Sequence, residues 1–178
     1  MTNDLSVTRE QRRLENKSFC LAPWTHLHVL PDGEAMPCCF WSQEHISDDF
    51  GNINDYDTAK DLMNHDGFKD LRKKFLKGEK HSGCEKCHNH EDNGRALNGR
   101  HYFNRYDSEK TIESVKNTQE DGTASPNIVC LDIRFGNICN LKCRMCGYEL
   151  SSSWHDDVVK LEALADISVM NNAEKHSP

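Results

Sequence analysis

Little of this chain is apolar. Hydrophobic residues fill 36% of its 178 positions and aromatic residues 8%, and the mean hydropathy is -0.80. That is enough core for one ordinary domain or two small ones. No run approaches the roughly 20 apolar residues of a membrane span, so no membrane partner is expected. Residues Met1 to Glu10 lack the positively charged start and apolar run of a secretory leader, and the expected location is the reducing cytoplasm. An excess of positive charge is missing as well. The net charge is -7 and the pI near 5.8, which argues against a nucleic-acid partner held through phosphates. The short basic run Arg72, Lys73, Lys74 reads as the solvated face of a helix. There is no internal repeat.

What the chain does have is cysteine, nine of them. Cysteine is ordinarily a minor core residue whose chemistry decides its placement. A disulfide framework needs an oxidising compartment, whereas in a reducing one paired cysteines are more often metal ligands. Metal is therefore the first reading.

Along the chain, residues 1–18 are polar and read as a weakly ordered arm, with order beginning at Phe19. The runs Trp24 to Leu30 and Ala35 to Trp41, joined by the turn signal Pro31-Asp-Gly-Glu34, predict a β-hairpin with Cys20 entering it and Cys38 on the return strand. Asp57 is placed to cap a short helix through Met63. A second helix is expected where Phe68, Leu71, Arg72, Phe75 and Leu76 recur at i, i+3, i+4, ending at Gly78. Cys84 and Cys87 fall in a loop with Gly and His, and residues 90–106 are weakly helical. Asp121-Gly-Thr-Ala-Ser-Pro-Asn127 has the turn chemistry of a linker, so a domain boundary is expected there.

From Ile128 to Phe135 the pattern alternates: Val129, Leu131, Ile133 and Phe135 share one face, and Cys130, Asp132 and Arg134 the other. A strand follows from that period. Residues 136–147 carry cysteines and no apolar repeat, which predicts a loop. Val158, Leu161 and Leu164 then suggest a helix.

Inside that loop, Cys139-Asn-Leu-Lys-Cys143-Arg-Met-Cys146 spaces three thiols as Cys-x3-Cys-x2-Cys. A four-iron cubane normally takes four thiolates, so three leave one iron open to another ligand. These residues resemble the radical S-adenosylmethionine (SAM) superfamily, whose signature loop lies between the first strand and first helix of a partial (β/α)6 barrel. The resemblance implies that Cys139, Cys143 and Cys146 hold a [4Fe-4S] cluster and that its open iron chelates S-adenosylmethionine. A one-electron donor such as ferredoxin or flavodoxin then drives cleavage to a 5'-deoxyadenosyl radical, which takes hydrogen from a substrate. Met145 stands where the family has an aromatic contact to the adenine, and its thioether can fill that role. The competing readings are a zinc site or chance cysteines. Cys130 reads as an incidental thiol.

Cys20, Cys38, Cys84 and Cys87 form a second group suited to a four-thiolate site. Softness alone permits zinc or an iron–sulfur cluster there, and the spacing leaves both open. Cys20-Leu-Ala-Pro-Trp24, then Gly33 to Cys38-Cys39, Gly51-Asn-Ile53 and Cys84-Glu-Lys-Cys87 resemble the SPASM/twitch region of radical SAM enzymes that modify peptides and proteins. That resemblance implies an auxiliary [4Fe-4S] cluster near a peptide or protein substrate. Cys39 reads as a spare thiol. Cys84-Glu-Lys-Cys87-His88 also fits a c-type haem attachment pattern, but haem attachment goes with export. His26, His28, His81, His88 and His90 are candidate zinc ligands that read more simply as polar strand or loop residues.

The expected fold is an α+β N-terminal module of β-hairpin, helices and Cys-rich loop, followed by the first βα unit of an incomplete radical SAM barrel. In residues this means an arm at 1–18, an auxiliary-cluster module at 19–90, a helical connector and linker at 91–127, and the start of a radical SAM domain at 128–178. Past Cys146 the sequence has neither the further strands of a barrel, which takes roughly 250 residues when eight-fold, nor the Gly-Gly-Glu segment the resemblance implies. The expectation is a C-terminally truncated relative, inactive alone, with a non-enzymatic zinc- or iron–sulfur-binding module as the alternative.

Overall fold

The computed structural model describes residues 18–45, 47–95, 98–148 and 150–165. The arm expected at 1–18 lies outside them except for Ser18. The described chain is a mixture of short helices and a three-stranded sheet, in two compact units: residues up to Val29 together with Gly33–Asp132, and Leu30–Asp32 together with Ile133 onward. No described helix is long and apolar enough to cross a membrane.

The first unit opens with one helical turn, α1 (Ala22–Thr25), and then β1 (His26–Val29). The expected strand therefore starts two residues late. Pro23 sits in the first turn of α1, where its missing N–H costs nothing, and the Thr25 hydroxyl donates back to Leu21 O at 2.9 Å. β2 (Ala35–Met36) pairs antiparallel with β1, His28 opposite Met36 and Val29 opposite Ala35. It stops at Pro37, which has no N–H for a ladder. Cys38 thus lies beyond the return strand, in the loop that follows. The Gly51-Asn-Ile53 motif runs along the hairpin, with Ala35 N donating to Gly51 O and Ile53 N to Gly33 O, both at 2.9 Å.

Two helices follow. α2 (Ala59–Leu62) is capped by Thr58, whose hydroxyl accepts from Asp61 N, so the cap is one residue later than Asp57. α3 (Asp66–Lys77) buries Phe68, Leu71 and Phe75 as its periodicity requires and ends at Gly78 in the left-handed conformation, φ 78°. Burial of each Phe contributes roughly 1.5–3 kcal/mol. Arg72 departs from expectation, because it is not on the solvated face. It is wholly buried, and its guanidinium donates to Pro23 O, Met63 O, Gly122 O and Asn64 Oδ1 at 2.6–3.2 Å. Burial lowers its pKa to about 10, which leaves it charged at neutral pH.

α4 (Glu85–Asp92), α5 (Gly99–Phe103) and α6 (Glu109–Lys116) complete the helices of this unit. The segment expected to be a linker is bound to it instead. Asn64 accepts from Ala124 N and donates to Ala124 O, Ser114 donates to Ser125 O, and Gly122 O receives Arg72. The division between the units accordingly falls at Asp132/Ile133 rather than in 121–127. β3 (Cys130–Ile133) lies beside β1 in the order β2-β1-β3. Val129 N meets Thr25 O at 2.8 Å and Asp132 meets His28 at 3.0 Å. Both contacts advance in the same direction, so the pair is parallel. The apolar alternation of the sequence is present, but its apolar side is bare: Val129 is 48% and Leu131 52% exposed.

In the second unit, the loop after β3 leads through a tight turn at Ser152–Trp154 into α7 (His155–Ala165), where a helix was expected.

Candidate metal centre

Four thiols from three stretches of the first unit converge. Cys20 precedes α1, and Cys38 follows β2. Cys84 closes a helical turn at Ser82–Cys84, and Cys87 sits in the first turn of α4. The last pair is helical rather than in a loop, because Glu85 already has helical φ and ψ. Cys20 and Cys87 are buried, Cys38 and Cys84 are half-buried, and Cys39 is exposed.

Close approach between the stretches depends on Gly83. A Cβ there would stand 2.2 Å from the Trp41 ring, and Gly83 O accepts from Ser42 N at 2.9 Å. The Cys38 loop is thereby joined to the Cys84 turn. Trp41 is fixed in turn by donating from Nε1 to His45 O at 2.8 Å and by edge-on contact with Phe50.

The electrostatics follow from this burial. Desolvation pushes the Cys20, Cys38, Cys84 and Cys87 thiols up. Neighbouring thiols raise three of them further: Cys84 and Cys87 act on Cys20, Cys20 and Cys87 on Cys38, and Cys38 and Cys87 on Cys84. Amide N–H groups oppose the shift, from Ala22 at Cys20, 3.5 Å from the sulfur, from Phe40 at Cys38, and from Arg100 and Gly99 at Cys87. A metal bound here would displace the protons of these buried thiols, and the amides suit the thiolates that would result.

Among the described residues, no three His, Cys, Asp or Glu side chains stand close enough to share one metal ion. The four thiols are nonetheless within one another's field. A zinc ion at about 2.3 Å from each sulfur gathers its thiolates tightly, whereas a cubane is larger and presents a separate iron to each.

Residues 20–88 match SPASM, an iron-sulfur cluster-binding domain. The SPASM segment begins on Cys20 and ends one residue after Cys87, so it contains the whole four-thiol group and none of Cys139, Cys143 and Cys146. No curated protein and no solved structure matches the chain.

Three of the histidines near the SPASM thiols have structural partners, whereas the buried Nε2 of His88 has no hydrogen-bond partner among the described residues. His26 Nδ1 lies 3.1 Å from Pro37 O and its ring is 4.6 Å from that of Phe103. His28 faces Asp132, and His81 accepts from Gly83 N and packs on Trp41.

In the second unit Cys139 and Cys146 are half-buried and Cys143 exposed. Their loop is tied to the start of α7 by serines: Ser153 donates to Cys139 O, Ser151 to Leu141 O, and Ser152 N to Asn137 O. Lys142 pairs with Asp157 and lies over the Trp154 ring. Met145 is 96% exposed.

Sequence reasoning missed the groups that hold the SPASM thiols from outside, namely Asn98, Arg100 and Asn104. One signal was available. Asn98 before Gly99 has the chemistry of a helix cap, and its side chain accepts from His101 N.

Proposed function

We propose that this chain is an iron–sulfur protein of the radical SAM type. Cys20, Cys38, Cys84 and Cys87 hold an auxiliary [4Fe-4S] cluster, and Cys139, Cys143 and Cys146 hold a second cluster with one open iron. The observation that carries the reading is the convergence of four buried or half-buried thiols inside a segment that matches an iron-sulfur cluster-binding domain. A cluster of this second kind, in a relative with the full barrel, would supply one electron to S-adenosylmethionine and so generate a 5'-deoxyadenosyl radical for hydrogen abstraction from a peptide or protein.

The chain's own residues have separable tasks in this scheme. The serines around Ser152 fix the carbonyls of the Cys139 loop, leaving its thiols free to ligate. Met145, exposed on that loop, would lie against adenine. The amides at Ala22, Phe40, Gly99 and Arg100 stabilise the thiolates of the auxiliary site. A low-potential donor such as ferredoxin or flavodoxin supplies the electron, and a reducing cytoplasm keeps the nine cysteines available.

Anaerobic reconstitution with iron and sulfide tests the scheme. It is expected to load two clusters per chain, about four irons each. Cys139→Ala, Cys143→Ala and Cys146→Ala together remove one cluster, and the corresponding changes at Cys20, Cys38, Cys84 and Cys87 remove the other. Tight zinc with no acid-labile sulfide would sink the scheme in favour of a structural zinc module.

A further inference from the structure

The thiols of the auxiliary site belong to the SPASM segment, but the polar groups that fix two of them come from residues 98–104, past its C-terminal edge. Asn104 brackets Cys20: its Oδ1 accepts from Leu21 N at 2.8 Å and its Nδ2 donates to Phe19 O at 3.1 Å. Asn98 Nδ2 donates to Cys87 O at 3.1 Å and to Glu91 Oε1 at 2.7 Å. Between them stands Arg100, 5% exposed. Its Nε donates to the same Glu91 oxygen at 2.7 Å, and its Nη1 donates to Phe19 O at 3.3 Å.

A buried guanidinium tied at both ends cannot turn away from its surroundings. Those surroundings are the thiols: the Arg100 backbone amide bonds to Cys87, and its guanidinium reaches the carbonyl of Phe19, the residue before Cys20. The carboxylate that anchors it, Glu91, is tied to Cys87 O through Asn98 and so brings the opposite charge to the same place. Burial pushes Glu91 up, but its bonds from Arg100 and Asn98 outweigh that and keep it below its ordinary value, so it is ionised at neutral pH.

We propose that Arg100, held by Glu91 and the Phe19 carbonyl, is a positioning residue whose fixed charge helps set the reduction potential of the auxiliary cluster, with Glu91 as the opposing charge. The proposal rests on the reading that Cys20, Cys38, Cys84 and Cys87 hold an iron–sulfur cluster. Uptake of one electron from a low-potential donor makes a cluster more negative, and net charge near the sulfurs is one determinant of its potential. Burial leaves such charges poorly screened. A cation at Arg100 therefore favours the reduced state, and an anion at Glu91 disfavours it.

The test uses the full chain carrying Cys139→Ala, Cys143→Ala and Cys146→Ala, so that only the auxiliary site reports. Iron and sulfide are assayed first. Potentials are then measured by dithionite titration followed by electron paramagnetic resonance. Arg100→Gln, which keeps a hydrogen-bond donor and loses the charge, is expected to shift the potential negative. Arg100→Lys should stay near the parent, and Glu91→Gln should shift positive. A purely structural role predicts no such opposition of sign, so loaded Arg100→Gln and Glu91→Gln clusters at the parent potential overturn the proposal. If Arg100→Gln fails to load, a Glu91→Gln potential at or below the parent overturns it equally. A parent that takes up no iron and sulfide defeats the underlying cluster reading instead.

Discussion

At Arg72 the neighbouring charges give no warning of burial. It stands in a basic run with Lys73 and Lys74, and only its place among Phe68, Leu71 and Phe75 puts it on the inward face of α3. Among the described residues, no carboxylate pairs with it. Its charge is met by the three carbonyl groups of Pro23, Met63 and Gly122 and the side-chain oxygen of Asn64. Arg72→Met is expected to destabilise the fold by about 3–5 kcal/mol, since it strands several buried acceptors at once. Arg72→Lys should recover only part of that, because an ammonium lacks the planar fork that reaches separated acceptors. Urea midpoints of the two variants check both claims. Gly83 is a second residue whose importance no composition reveals. Gly83→Ala should cost about 1–3 kcal/mol through overpacking against Trp41, and should lower the iron retained at the four-thiol site more than that at the Cys139 loop. Iron content in a background lacking one thiol set measures this.

Periodic elements were legible and element edges were not. The stripe in α3, its end at Gly78 and the hairpin turn at Gly33 each follow from a repeat or a turn residue that local chemistry dictates. Cys38 was assigned to a strand because alternation cannot register that Pro37 removes the next ladder donor. The helical placement of Cys84 and Cys87 was hidden by the Gly and His around them. α5 is too short to show a period, and what defines it is its cap. Asn98→Ala removes that cap together with the donors to Cys87 O and Glu91. The expected cost is about 1 kcal/mol for the cap plus a further 1–3 kcal/mol for the buried groups left unsatisfied. Faster loss of iron to a chelator in Asn98→Ala than in the parent tests the coupling of this helix to the metal centre.

On the scale of the whole chain, the SPASM region was readable because its motifs are spaced along the sequence in that family's order, and a match over residues 20–88 agrees. The boundary between the compact units was not readable, because 121–127 has turn chemistry whose hydrogen-bond partners are distant: Asn64 and Arg72 claim it from across the fold. A chain trimmed to residues 18–132 is therefore expected to keep the auxiliary cluster. One trimmed to 18–90 retains all four thiols yet loses the bonds from Asn98, Arg100 and Asn104, and should load little iron. Reconstitution of the two side by side decides the matter.

β3 has a consequence for how the molecule behaves in bulk. It stands last in the sheet, beside β1, with Val129 and Leu131 half uncovered, the sort of strip on which copies can stack edge to edge. The opposing influence is the net charge of -7, whose reach shrinks to about 8 Å at 0.15 M salt. Light scattering from concentrated protein should accordingly grow as salt is added, and Leu131→Lys should flatten that growth, making ionic strength the variable that governs its colloidal stability.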